Sequence, residues 1–76
     1  MKELISFIVE NIVQAKDKFS IEEELIQENY TKYTIKADQE DIGKIIGKNG
    51  KVIQAIRNIA KILAVKENKH IRIEIS

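Results

Sequence analysis

Four residues, Gly47-Lys48-Asn49-Gly50, divide a run in which the branched aliphatic residues keep helical spacing on both sides. Before them Ile42, Ile45 and Ile46 recur three and four apart, and after them Val52, Ile53, Ile56, Ile59, Ala60 and Leu63 do the same. A chain with only three glycines places two of them here. Three folds of this loop compete. Asn-Gly between apolar flanks is a strong hairpin signal, but flanks with the helical period would put their apolar sets on opposing faces of a hairpin. A P-loop requires a second glycine five positions after the first, followed by Lys and then Ser or Thr; counting from Gly43 reaches Lys48 instead. The spacing of Gly43, Gly47 and Gly50 also fails the dinucleotide pattern G-x-G-x-x-G. What remains is a sharp G-x-x-G turn between two short helices.

The elements around the turn follow from the apolar period. Leu4, Ile5, Ile8, Val9, Ile12 and Ala15 share one helical face, which predicts a first helix from Leu4 to Ala15 with Phe7 stranded among its polar positions. From Phe19 the period becomes two: Phe19, Ile21 and Leu25 alternate with polar residues, and beyond a turn at Asn29 so do Tyr33, Ile35 and Ala37. These predict two strands joined as a hairpin. Ile71, Ile73 and Ile75 alternate with His70, Arg72 and Glu74 to give a third strand. Each strand has one apolar face and one wet face, so the sheet is covered on one side only. On the wet side Glu22, Glu24, Lys32, Lys36, Arg72 and Glu74 are suited to cross-strand pairing, and His70 is a surface residue among them. Asp38 is a candidate N-cap for the helix before the turn, with Glu40 and Asp41 on the first turn where the macrodipole favours them. Gly43 within that helix costs about 1 kcal/mol relative to alanine, and close packing there is the expected compensation.

The chain has 76 residues, 13 bases and 12 acids, which makes one small domain near the size where a partner chain helps to stabilise the core. Its charges are segregated. Ile42 to Lys66 carries Lys44, Lys48, Lys51, Arg57, Lys61 and Lys66 and no acid, so a nearly neutral protein presents one basic face suited to a polyanion. Without cysteine and with a single histidine, neither a disulfide nor a zinc site can be built, and no cofactor is expected. The first residues, MKELISFIVENIVQ, begin like a signal peptide, but Glu10 and Asn11 interrupt the apolar run and no small-residue cleavage site follows. No run approaches the length of a membrane span. No nucleophile and base can be assembled, so an enzyme is not expected.

A G-x-x-G turn preceded by aliphatic residues, followed by lysine and more aliphatics, is the signature of a KH domain. Glycines without a Cβ let a sugar-phosphate backbone approach, and the start of the following helix offers N–H groups to phosphates. A helix C-cap would account for Gly47, though not for Gly50, the basic loop and the acid-free stretch together. Over essentially all 76 residues the chain resembles the type II, prokaryotic KH fold, an α+β domain of order helix-strand-strand-helix-helix-strand whose three-stranded sheet is covered on one face by three helices. The segment DIGKIIGKNGKVIQAIR is very similar to that of the small stand-alone bacterial KH proteins of the KhpA type. The resemblance implies a cytoplasmic, non-catalytic protein that binds single-stranded RNA, as an RNA chaperone or post-transcriptional regulator. With the basic residues around the loop, the candidate site residues are Lys44, Ile46, Gly47, Lys48, Asn49, Gly50, Lys51, Ile53 and Arg57. Ile42, Ile45 and Val52 join Ile46 and Ile53 as candidates for an apolar groove beneath bases; all five are equally candidates for the core. The resemblance further implies pairing as a homodimer or with a second, larger KH-containing protein. An alternative is a KH-fold interaction module whose RNA binding is weak or supplied by its partner.

Overall fold

The change of period resolves into three helices, three strands and one turn of 3₁₀ helix. In the computed structural model, which describes residues 1–76, the order is α1 (Lys2–Glu10), β1 (Ser20–Gln27), β2 (Tyr30–Lys36), α2 (Gln39–Ile46), the 3₁₀ turn (Lys48–Gly50), α3 (Lys51–Lys66) and β3 (His70–Ile75). This is the element order expected of a type II KH domain. β1 and β2 run antiparallel with Ile21 opposite Ile35, a tight connection between Gln27 and Tyr30, and a register slip between Leu25 and Gln27. β3 joins β2 in parallel, Tyr33 opposite Ile73 and Ile35 opposite Ile75, so β2 is central and β1 and β3 are edges. The parallel pairing is possible because α2, the loop and α3 form the long crossover that it requires.

Alternation along the strands then sorts the side chains. The rows Ile21–Ile35–Ile75, Glu23–Tyr33–Ile73 and Leu25–Thr31–Ile71 face the helices. Ile5, Val9 and Val13 meet the sheet from one side, and Ile45, Ile53, Ile56 and Ala60 complete the cluster. Each buried aliphatic side chain contributes about 1.5–3 kcal/mol relative to exposure. The opposite face carries the expected ladder of ion pairs: Lys36–Glu22 at 3.1 Å, Lys32–Glu24 at 3.4 Å, Lys32–Glu74 at 3.7 Å and Arg72–Glu74 at 3.0 Å. Such exposed pairs are worth only about 0.2–1 kcal/mol each. Their effect is to disfavour a one-residue slip in register, which would exchange the wet and dry faces.

Four expectations need correction. α1 ends at Glu10 rather than Ala15, because the Asn11 side-chain amide donates to the Phe7 carbonyl at 2.8 Å and the chain then leaves the helix. Val13, absent from the predicted apolar stripe, is consequently buried. On α3 the covered stripe is Ile53, Ile56, Ala60 and Ala64, while Ile59 is 47 % exposed. The Asp38 carboxylate makes no capping bond and lies 3.8 Å from the Lys18 ammonium. Gly43 is not closely packed, since a Cβ there would meet nothing within 4 Å. No helix is long and apolar enough to cross a membrane.

Candidate nucleic-acid interface

α2 stops where the Gly47 N–H closes on the Gly43 carbonyl at 2.9 Å, after which Gly47 takes φ 76° and ψ 174°. A side chain at Gly47 would overlap that of Val52, with its Cβ only 2.9 Å from the Val52 backbone nitrogen. The end of α2 therefore lies directly on the start of α3. Asn49 follows at φ 59° and Gly50 at φ 73°, and the Gly50 N–H returns to the Gly47 carbonyl at 3.1 Å. Asparagine is among the few non-glycine residues that visit this left-handed region readily. Around Gly50 the space is open. The two glycines thus do different work, Gly47 permitting contact between helices and Gly50 exposing bare backbone to the outside. At the tip Lys48 and Asn49 are exposed, and Lys51 stands on the first turn of α3. The positive end of that 16-residue helix points the same way.

From the loop, α3 runs beside the open edge of β3 and encloses with it a groove of about 870 Å³. Arg57, Lys61 and Val65, spaced four apart, form the helical wall, and Lys69, His70 and Arg72 lie toward the strand. Arg57 spans the two: its Nε and one terminal nitrogen donate to the Ile73 carbonyl at 3.2 and 3.1 Å. An unpaired strand carbonyl is thereby satisfied, and the guanidinium becomes part of the groove.

The structure brings Gly47, Lys48, Asn49, Gly50 and Lys51 together at one tip. Ile46 is half-buried beneath it, as are Ile42 and Val52. Ile45 and Ile53, 0 % and 6 % exposed, belong to the core and support the loop from below, so Ile53 offers almost no surface. Lys44 is drawn away from the tip. Its ammonium donates to the Gln14 side-chain oxygen at 3.0 Å and stands 3.8 Å from Asp41. Asp41, only 2 % exposed, accepts the Gln14 and Ala15 backbone N–H groups at 3.0 Å each. Those two bonds, more than Lys44, hold its carboxyl below the ordinary range against the opposing effect of burial. Sequence reasoning passed over Lys61, Val65 and Lys69 as groove residues. The regular spacing from Arg57 to Val65 marks a second stripe on α3, but only the parallel placement of β3 shows what that stripe faces.

Comparison with known proteins identifies the family to which the chain is similar. A family model described as KhpA/KhpB, KH domain, matches residues 2–75. The chain is similar to proteins named RNA-binding protein KhpA from Clostridium perfringens and Clostridium acetobutylicum, 39 % identical to each over 75 residues, 99 % of either chain being covered in both cases. A protein of the same name from Chlamydia pneumoniae is 37 % identical over 76 residues, covering 99 % of this chain and 95 % of that one. No solved structure matches.

Proposed function

Because the chain belongs to the KhpA/KhpB KH-domain family, we propose that it is a non-catalytic RNA-binding protein that holds about four nucleotides of single-stranded RNA, the length a KH loop clamps. The backbone passes over Gly47 to Gly50, with Lys48 and Lys51 beside its phosphates, and the bases extend toward the groove between α3 and β3. The observation that carries this reading is the open space outside Gly50 at the positive end of α3. Lys61, which no acid pairs, extends the positive field along the groove, where Arg72 and Lys69 stand beside Glu74 and Glu67. Lys44 contributes less, because its charge is already balanced by Asp41. In the cytoplasm such a protein serves as an RNA chaperone or post-transcriptional regulator.

The test is to replace Lys48 and Asn49 together with aspartate. Both side chains are exposed, and aspartate tolerates the left-handed backbone at Asn49. Binding of an unstructured oligonucleotide should collapse while the unfolding midpoint stays within a few degrees. Unchanged affinity in the folded variant refutes the assignment of the loop to phosphate contact.

The surface also supports pairing, either between two copies or with a larger KH-containing protein. Ile59 and Ile62 on α3 are 47 % and 59 % exposed, and Phe7 on α1 is 64 % exposed. Val65, equally exposed, lines the groove and is assigned to RNA instead. Pairing through Ile59 and Ile62 leaves the Gly47–Gly50 tip free.

A further inference from the structure

The outer side of β1 is open. The Ser76 N–H donates to the Ile35 carbonyl at 3.0 Å, so Ile35 and, by alternation, Tyr33 and Thr31 turn their backbone groups toward β3. The residues between them bond Ser20, Glu22 and Glu24 of β1. That leaves the N–H and C=O groups of Ile21, Glu23 and Leu25 pointing outward, and none of them forms a bond elsewhere in the chain. The other edge of the sheet differs, because Arg57 occupies the Ile73 carbonyl there.

Next to this edge the sheet extends past its helices. Leu25 faces the helical side yet is 69 % exposed, and Ile26, at the register slip, is 44 % exposed. Leu25 and Ile71 help to line a notch of about 240 Å³ rimmed by Glu23, Glu28 and Glu67. Glu67 has a cationic neighbour, Lys69 at 4.0 Å; Glu23 has only the Tyr33 hydroxyl, which donates to it at 3.1 Å; Glu28 pairs with no cation. Lys69 and the N-terminal Met1 also line the notch, so it is a mixed polar and apolar surface in which three carboxylates outnumber two cations, beside a strand that carries Glu22, Glu23 and Glu24 and no base.

Acids on an edge strand keep like copies apart, since two β1 strands side by side would set carboxylates against carboxylates. They exclude phosphates for the same reason. Any extended strand satisfies the free backbone groups, and a basic one also converts the repulsion into attraction. We propose that the β1 edge and its notch dock an extended, lysine- or arginine-bearing segment of a protein partner. The segment adds to β1 as a fourth strand and lays the stem of a basic side chain over Leu25, with its charge among Glu23, Glu28 and Glu67. This surface does not depend on the RNA reading, and its test contains no requirement for RNA binding.

The probe is a synthetic peptide of alternating lysine and valine, with alternating glutamate and valine as control, titrated into the isotopically labelled full chain. Saturable binding of the first peptide is expected, with amide exchange slowed at Ile21, Glu23 and Leu25. Exchanging Glu28 and Glu67 for lysine, both being exposed and outside the strands, should weaken it about tenfold or more while circular dichroism stays unchanged. The proposal is overturned by an absence of binding, by slowed exchange at β3 or the loop in place of β1, by equal binding of the glutamate peptide, or by unchanged affinity in the folded double variant. A single-stranded oligonucleotide protecting the β1 amides would also overturn it, since the surface would then take nucleic acid.

Discussion

Replacing each of the three glycines with alanine should change stability in three different ways. Gly47 combines φ 76° and ψ 174°, a region nearly confined to glycine, with a Cβ position that overlaps Val52. The backbone strain costs about 1–3 kcal/mol and the overlap about 1–3 kcal/mol more, so Gly47→Ala should lose roughly 2–6 kcal/mol. A 76-residue chain at about 0.05–0.15 kcal/mol per residue has roughly 4–11 kcal/mol in total. The variant is thus close to the edge of folding. Gly50 has the ordinary left-handed φ of 73° and ψ of 15° with open space around it, so Gly50→Ala should lose only about 1–2 kcal/mol. Gly43 is helical and unobstructed, and Gly43→Ala should gain up to about 1 kcal/mol. Urea titration reads all three: with a slope of about 1 kcal/mol per M, the midpoints should fall by about 2 M or more, fall by about 1–2 M, and rise by up to about 1 M. A Gly47→Ala midpoint no lower than that of Gly50→Ala would refute the claim that contact with Val52 fixes the turn.

Affinity for a single-stranded oligonucleotide should fall with salt at a log–log slope of order −2, because about three cations reach phosphates; a slope near zero would remove the electrostatic contribution. The depressed Asp41 pKa means stability is present above the ordinary carboxylate value of 3.8 and lost as pH falls through the folded value, so Asp41→Asn should flatten the acid limb of a midpoint-against-pH curve. Burial, assisted by the Glu23 bond, raises Tyr33 from 10.0 to about 12, so its contribution is complete below pH 10.0 and lost as pH rises through about 12; Tyr33→Phe should abolish that alkaline dependence. The protein should self-associate at micromolar concentration in sedimentation, and Ile62→Asp should return it to monomer; a monomer at every concentration, with no shift on adding a larger KH-containing partner, excludes pairing.

Local signals located the loop and the strands, and longer-range geometry decided what remained. Gly47 and Gly50 were legible because a turn with this spacing between two apolar helical phases admits few other folds. The limit of α1 was less legible, since Ile12 continues the helical period even though Asn11 closes the helix, and the amides beyond it are held by Asp41 from 27 and 26 residues away. Ile59 has a helical phase that fits the core. How wide a stripe of α3 the sheet can cover depends on three strands assembled from distant parts of the chain, and periodicity does not measure that width. The groove-lining stripe on α3 was hidden likewise until β3 supplied the opposite wall.

The parallel pairing of β3 with β2 also sets the order in which the groove between α3 and β3 can come into being. The hairpin of β1 and β2 closes through near neighbours, whereas β3 must bridge a loop of more than thirty residues to reach the same sheet, a slower event. Until β3 docks, the glycine turn and both of its helices can be in place without their partner strand. A refolding chain can therefore form the Gly47–Gly50 tip before it has the strand carbonyl that anchors Arg57, and the groove exists only once β3 has docked. The last strand to arrive is in this sense the latch on the groove, and a chain cut before His70 would carry a basic turn with no opposite wall.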